Sequence, residues 1–259
     1  MSKRRRDQKK ADYRPELETK GAPSVPKCKA KGPLEPMTEA QRHYISSIRH
    51  NRITWGIGPA GVGKTYVAAR VASDMLRNKE ISKIILTRPA IEAGASIGFL
   101  PGELEDKMAP YIASYGRGFG DGLGGGSFAY YMQYKIIEVV PLNFMQGRSF
   151  DEPTLVLLDE AENATPAEMK MFLTRMGAGA TMIIDGDPKQ TMIRGQSGLI
   201  DGVQKTRYIH GVGVVEFDRD DIVRDPMIKE ILNAYECEPE NDDGDAALGL
   251  PSFITETSE

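Results

Sequence analysis

The sequence has little of what disulfide scaffolds, metal centres and membrane proteins require. Its 259 residues include only two cysteines, Cys28 and Cys237, which are too few for a disulfide framework and match neither a zinc site nor a redox pair by spacing. The three histidines show no metal-like grouping. No apolar run reaches the ~18 residues of a membrane-spanning helix, and no apolar stretch follows the basic N-terminus as in a secretory signal. We therefore expect a cytoplasmic protein with no membrane partner.

A strong charge of one sign is also missing, because the formal net charge of the whole chain is -4. This balance excludes a uniformly basic nucleic-acid coat protein. The charge is unevenly spread, with +6 on the proline-rich residues 1–36 and -7 on residues 238–259. We expect both ends to be disordered tails of one domain at 37–237. The basic tail suits either nucleic-acid phosphates or a solvated linker, and the acidic tail suits a solvating role.

A glycine-rich motif follows the first predicted strand, Ile53–Ile57, and precedes apolar residues at helical spacing. It reads G-x-x-x-x-G-K-T, the pattern of a phosphate-binding P-loop. Glycines let backbone N–H groups point at phosphate, Lys64 reaches the β- and γ-phosphates, and the Thr65 hydroxyl is a magnesium ligand. The motif alone does not distinguish between kinases, GTPases and motor proteins. The predicted nucleotide-binding residues here are Gly58, Pro59, Ala60, Gly61, Val62, Gly63, Lys64, Thr65 and Tyr66.

Two acidic residues, Asp159 and Glu160, follow the continuous apolar run Leu155–Leu158, which is typical of a parallel strand buried on both faces. At the carboxyl end of such a strand they would lie beside the P-loop. We predict that Asp159 holds magnesium and that Glu160 activates the attacking water. The pair favours an ATPase, and the N-K-x-D pattern by which GTPases recognise guanine is absent. Alternating strands and helices predict an α/β fold with a mostly parallel central sheet flanked by helices.

Two further polar residues follow predicted strands. Gln190 comes after the strand pattern of residues 181–185, where it would contact the γ-phosphate or the attacking water, or belong to a plain polar turn. Arg88 comes directly after another strand pattern. It would contact the γ-phosphate or nucleic acid, or form a structural ion pair with Glu160 or Glu92.

In these motifs the chain resembles the PhoH-like ATPases, a family related to superfamily 1 helicases. The resemblance covers roughly 37–237, with the motifs in the same order and at the same spacing. Those motifs are Gly58–Tyr66, Thr87–Ala90, Glu92–Gly94 with Gly98–Gly102, Asp159–Ala161, Met169–Arg175, Gly186-Asp187 with Gln190, Ser197–Leu199, and Asp221–Arg224 leading to Ala234–Glu236.

The resemblance implies a RecA-like P-loop NTPase that hydrolyses ATP with Mg²⁺. It also implies a homo-oligomeric ring, expected to be a hexamer, with the site at the subunit interface. Members are associated with RNA or single-stranded DNA metabolism, and many are short single-domain forms from phage genomes, which this chain resembles. Two alternatives stay open: an ATP-dependent regulatory scaffold that binds protein, and a nucleotide kinase, against which the Asp159-Glu160 pair argues.

The resemblance also bears on the roles of four further residues. Gln41 would read the adenine edge, although its spacing from Thr38 equally fits the capping box of a helix start. Arg224, or less favourably Arg194, would act across the subunit interface as an arginine finger. Glu162 stands where the family usually has Gln, which weakens any expectation that it contacts substrate.

The segment 116–126 contains seven glycines in eleven residues, where relatives have a more helical segment. Aromatic residues surround it, from Tyr111 to Tyr134. We expect a loop there. Its aromatic side chains would stack on bases in a central pore, or it would be a surface or oligomer-contact loop.

Overall fold

The computed structural model describes residues 29–89, 104–150 and 153–223, with Met227 and Glu230 in a second unit that begins at residue 224. Within 104–112 only the backbone is described. Most of both predicted tails, the predicted motif at 92–102 and the predicted finger Arg224 lie outside these ranges. No helix in the described ranges is long and apolar enough to cross a bilayer.

Six strands form one parallel sheet, which agrees with the predicted fold class, although the strands Ile137–Val139 and Val212–Glu216 were not predicted from the sequence. They are β1 (Ile53–Ile57), β2 (Lys83–Thr87), β3 (Ile137–Val139), β4 (Thr154–Leu158), β5 (Thr181–Gly186) and β6 (Val212–Glu216). Their order across the sheet is β3-β2-β4-β5-β1-β6, and every neighbouring pair is parallel. This order brings the carboxyl ends of β1, β4 and β5 together, which places the P-loop beside the acidic pair and the segment of Gln190.

Helices cover both faces of the sheet, as parallel strands require. Leu155 and Leu157 of β4 belong to one buried cluster, while Val156 and Leu158 belong to another on the opposite face. The three helices between residues 39 and 123 contribute to the cluster of Leu155 and Leu157, and the two helices between residues 166 and 206 contribute to the cluster of Val156 and Leu158. The helices are α1 (Glu39–His50), α2 (Lys64–Arg77), α3 (Leu104–Leu123), α4 (Gly125–Gln133), α5 (Pro166–Leu173) and α6 (Gly198–Thr206), with short 3-10 turns at Leu142–Met145, Ala161–Asn163 and Pro188–Gln190.

Residues 29–36, which the charge pattern assigns to the basic tail, run along the surface of the domain. The backbone N–H of Lys31 donates to the carbonyl of Asp121 at 2.7 Å, and its ammonium pairs with the carboxylate of Asp121 at 2.9 Å. The carbonyl of Gly32 accepts from the guanidinium of Arg70 at 2.6 Å. These contacts attach the start of the described chain to helices α2 and α3.

The prediction of a loop at 116–126 is wrong, because helix α3 continues to Leu123 and α4 begins at Gly125. Only Gly124 interrupts them, at a φ of 81°. The glycines serve close packing. A Cβ at Gly118 would lie 2.6 Å from the Cβ of Ala69 on α2, and one at Gly122 would lie 2.5 Å from the Cβ of Ser73.

The hypothesis of a base-stacking pore loop is weakened by the same helices, because residues 116–123 and 125–126 are helical. Phe119 is fully buried and Tyr115 is nearly so, since both pack into the core between α2 and α3. The ring of Phe119 stacks on that of Phe128 with centroids 5.4 Å apart. Phe119 and Tyr115 are therefore part of the core and are not available to bases, whereas Tyr134 is 38% exposed.

The close approach of α2 and α3 predicts opposite effects of one substitution at two positions on the same helix. Gly118→Ala should lower the free energy of unfolding by about 1–3 kcal/mol, because its methyl group overlaps Ala69 and the neighbouring backbone. Gly120→Ala is the matched control, because nothing lies within 4 Å of a Cβ there. It should raise the free energy of unfolding by about 0.5–1 kcal/mol through helix propensity. Urea unfolding measures both, and equal effects would contradict this packing.

Candidate nucleotide-binding site

The P-loop joins β1 to α2 through glycines that no other residue can replace without strain. Gly58, Gly61 and Gly63 have φ values of 149°, 92° and 87°, in the region that side chains rarely adopt. At Gly58 a Cβ would also overlap the backbone oxygen of Phe217. The loop therefore curls tightly before α2 begins at Lys64, and its N–H groups and the helix N-terminus form a cradle suited to an anion.

Lys64 is a buried cation held by the loop that precedes it. Its ammonium donates to the carbonyl of Gly58 at 2.6 Å and to that of Pro59 at 2.9 Å, and the residue is 8% exposed. Burial lowers the pKa of Lys64, and the carboxylates of Asp185, Asp187 and Asp159 oppose that change. The ammonium thus lies close to several acidic groups, in a position to bind a further anion at the cradle.

Thr65 and Asp159 come together from the P-loop and the end of β4. The Thr65 hydroxyl is 3.4 Å from each carboxylate oxygen of Asp159, and the Asp159 N–H donates to the carbonyl of Thr87 at 3.1 Å. Burial raises the pKa of Asp159, while Arg88 and Lys64 oppose the increase. One hydroxyl and one carboxylate beside a phosphate cradle are the oxygen donors that Mg²⁺ takes from proteins, and these residues fit that ion.

Glu160 adopts an unusual backbone conformation beside them. Its φ of 52° and ψ of 41° lie in the left-handed region, which is uncommon for a residue with a side chain. Two backbone hydrogen bonds hold it: its N–H donates to the Asp159 carboxylate at 3.1 Å, and its carbonyl accepts from Asn163 at 3.0 Å. Its carboxylate forms an ion pair with Arg88. Of the alternatives considered for Arg88, the structure therefore contains the pair with Glu160.

Glu162 links the acidic segment to the loop that carries Gln190. The residue is 3% exposed, and its carboxylate accepts from the N–H of Asp187 at 3.0 Å. Its carbonyl accepts from the hydroxyls of Thr191 at 3.1 Å and Ser197 at 2.8 Å. Asp187 in turn accepts from the side-chain amide of Gln190 at 2.8 Å. Glu162 thus holds the loop in place, as a buried residue of the protein interior.

Two predicted nucleotide contacts have protein partners. The Gln41 amide donates to the carbonyl of Val62 in the P-loop at 2.9 Å and accepts from the N–H of Met37 at 2.9 Å. The Gln41 amide has a second N–H and its oxygen has a second lone pair, so the contact of Gln41 with adenine stays a prediction. The Tyr66 hydroxyl donates to Asp121 at 3.1 Å, which turns that side chain toward α3 and leaves its backbone N–H beside the cradle.

The pair of Tyr44 and Asp185 was not predicted from the sequence. Both are buried, and the Tyr44 hydroxyl donates to the Asp185 carboxylate beneath β1. Gly56 makes room for them, since a Cβ there would lie 2.9 Å from the Tyr44 ring. Burial raises the pKa of Asp185 to about 7, the charge of Asp159 adds to the increase, and the hydrogen bond from Tyr44 opposes it. The sequence signal that could have drawn attention to Asp185 is its position directly after the apolar run Met182–Ile184.

Comparison with known proteins agrees with this geometry. The profile of the family described as PhoH-like protein matches residues 33–236. The chain belongs to the PhoH-like family. The PhoH-like protein of Bacillus subtilis is 46% identical over 201 residues, which are 77% of this chain and 63% of that protein. Protein PhoH of Escherichia coli K12 is 39% identical over 207 residues, which are 78% of this chain and 58% of that protein.

This PhoH-like chain therefore spans about three fifths of the length of the curated relatives it matches. Among solved structures, the UvsW helicase from bacteriophage T4 matches with a TM-score of 0.43 at 15% identity, over 74% of this chain and 62% of that one. A match at that level carries no argument about function. The fold itself, a parallel sheet with a P-loop between β1 and α2, is that of a RecA-like P-loop NTPase, as predicted.

The raised pKa of Asp185 predicts a pH-dependent effect of Asp185→Asn on stability. The folded chain keeps a proton on this carboxyl up to about pH 7, whereas the unfolded chain releases it near pH 4. The stability that this proton contributes is complete below pH 4 and is lost as the pH rises to 7 and above. Measured without nucleotide, Asp185→Asn should therefore gain about 2 kcal/mol of unfolding free energy relative to wild type between pH 5 and pH 8. A difference that is constant or shrinks with pH would contradict the burial of this charge.

Proposed function

We propose that this PhoH-like chain hydrolyses ATP with Mg²⁺ and couples hydrolysis to single-stranded RNA or DNA. The observation that carries the proposal is the meeting of Thr65 and Asp159 at 3.4 Å, beside the buried ammonium of Lys64 and the P-loop cradle. This set of donors suits a magnesium nucleotide. The adjacent Glu160 supplies a carboxylate for water, which favours hydrolysis over phosphoryl transfer to an acceptor and so disfavours a nucleotide kinase.

The residues of this site have distinct roles in the proposed reaction. The N–H groups of the loop and Lys64 bind the phosphates and offset the charge that develops on them. Thr65 and Asp159 would hold magnesium, which would offset negative charge on the phosphates of the nucleotide. Glu160 orients the attacking water and accepts its proton. Gln190, held by Asp187, contacts the γ-phosphate and passes its presence to the following loop.

Coupling to nucleic acid is supported by the loop that Glu162 anchors. The loop presents two exposed cations, Lys189 just before Gln190 and Arg194 after it. The hydroxyls of Thr191 and Ser197 in the same loop donate to the carbonyl of Glu162, two residues beyond Glu160. Exposed cations on a loop that is fixed to the acidic segment provide a physical route between phosphate contacts and the site. The basic residues 1–36 and the relation of the family to helicases point to the same ligand.

The proposal includes a homo-oligomeric ring, expected to be a hexamer, with Arg224 completing the neighbouring site. In such a ring, the RecA-like domains of neighbouring subunits would move against each other during translocation. The alternative is a regulatory ATPase that binds protein, which the modest net charge of -4 over the whole chain favours. We place either activity in the cytoplasm.

Measuring phosphate release from ATP tests the proposed hydrolysis. Lys64→Ala and Glu160→Gln should each lower kcat by about 10²–10³, because each removes a charge or base that acts in the transition state. Lys205→Ala is a matched control, since that lysine pairs with Asp201 on α6. It should retain wild-type activity. Wild-type hydrolysis should rise with single-stranded RNA or DNA and need Mg²⁺. Hydrolysis indifferent to both polymers would move the assignment to the protein-binding ATPase.

Mixed assemblies test the role of Arg224 between subunits. Arg224→Ala should abolish hydrolysis while preserving ATP binding, because an arginine finger contributes about 10³–10⁵ in rate without holding the nucleotide. Mixing it with Lys64→Ala subunits should restore part of the activity, since an intact finger then faces an intact P-loop. The mass of the assembly in solution must show a ring under the same conditions. No recovery in mixed rings would exclude Arg224 as a finger in trans.

A further inference from the structure

Glu160, the carboxylate proposed to activate water, already forms an ion pair within the protein. Arg88 and Glu160 form an ion pair in which the side chains are 25% and 32% exposed. A carboxylate that already accepts from a guanidinium has fewer free lone pairs for an attacking water than an unpaired one. In this arrangement the ion pair with Arg88 prevents Glu160 from orienting the attacking water.

The backbone fixes both partners of this pair. Thr87 and Leu158 are register partners at the ends of β2 and β4, so Arg88 lies next to Asp159, the residue before Glu160. The Arg88 carbonyl accepts from the N–H of Leu142 at 3.1 Å, and Glu160 is fixed in its left-handed conformation by the hydrogen bonds described above. A strained backbone conformation that neighbouring contacts maintain is typical of switch positions in functional sites.

The pair is also weak enough to open. Partly exposed ion pairs contribute little, because water screens them and two flexible side chains must be ordered. A nucleic-acid phosphodiester carries one negative charge, as a carboxylate does, and it also accepts two parallel hydrogen bonds from a guanidinium, so it can compete with Glu160 for Arg88. A phosphate that reached Arg88 would therefore release Glu160.

We propose that Arg88 is a positioning residue that holds Glu160 in an inactive arrangement until a nucleic-acid phosphate takes its place. This inference rests on the proposed function, because it assumes that Glu160 serves the hydrolytic water. It differs from the sequence-based expectation that Arg88 acts directly on the γ-phosphate. The two hypotheses predict opposite changes when the arginine is removed.

Steady-state ATPase measurements with and without single-stranded polymer distinguish them. Arg88→Ala and Arg88→Gln should raise the basal kcat about fivefold, the factor expected for a partly exposed ion pair worth about 1 kcal/mol, and should reduce the stimulation by polymer to the same extent. Arg88→Lys keeps the cation and should keep the low basal rate. Arg148→Ala is the matched control, because Arg148 pairs with Glu138 at 3.0 Å on β3. It should behave as wild type.

Several results would overturn the inference. A basal kcat that falls or stays constant in folded Arg88→Ala and Arg88→Gln, as judged by circular dichroism, means that Arg88 does not restrain Glu160. A rise in basal rate with unchanged stimulation means that the nucleic-acid phosphate does not act through Arg88, and ATP itself then opens the pair. The double variant Arg88→Ala/Glu160→Gln must lose the gain, since a gain that survives comes from elsewhere. Failure of the proposed function is seen separately, as wild-type phosphate release that Lys64→Ala does not reduce.

Discussion

The buried ammonium of Lys64 is the constraint around which the site is built. A charge that is 8% exposed must be compensated, and here it is bound by two carbonyls of its own loop and lies near several carboxylates. The glycines at positive φ turn those carbonyls toward it, and the parallel sheet brings the acidic residues from β4 and β5. Loop geometry and strand order together supply the partners of this ammonium, whose charge opposes the increase in pKa that burial causes at Asp159 and Asp185.

The same arrangement explains how the site reaches the surface. Glu162 follows the acidic pair by two residues, and its carboxylate and carbonyl hold the loop after β5 at three points. Asn163 adds a fourth, because its side-chain carbonyl accepts from the N–H of Met192 at 2.9 Å. The acidic segment is thus joined by a short path of hydrogen bonds to the loop that carries the exposed cations Lys189 and Arg194. The glutamate that departs from the usual residue of the family is part of this path.

The elements that were predictable from sequence are those with local signals. The strands at 53–57, 83–87, 155–158 and 181–185 are short segments rich in apolar strand-forming residues, and the P-loop combines a motif with its strand and helix. The fold class and the cradle therefore follow from short segments. The segment 116–126 was misjudged because glycine usually interrupts helices, and only the approach of α2 shows why Gly118 and Gly122 belong inside one. The bond between Tyr44 and Asp185 joins residues 141 positions apart, which no local pattern reports. The partner of Arg88 was left open for the same reason, since it depends on strand order.

The most direct test of the central claim is the binding of ATP to Glu160→Gln by titration calorimetry, with Mg²⁺ and after its removal by EDTA. That variant keeps the cradle, Lys64, Thr65 and Asp159 while suppressing turnover. We predict one ATP per chain, with an affinity that falls at least tenfold without Mg²⁺ and in the double variant with Asp159→Asn. Binding that is absent, or that is insensitive to both Mg²⁺ and Asp159, would contradict a magnesium-nucleotide site at this P-loop.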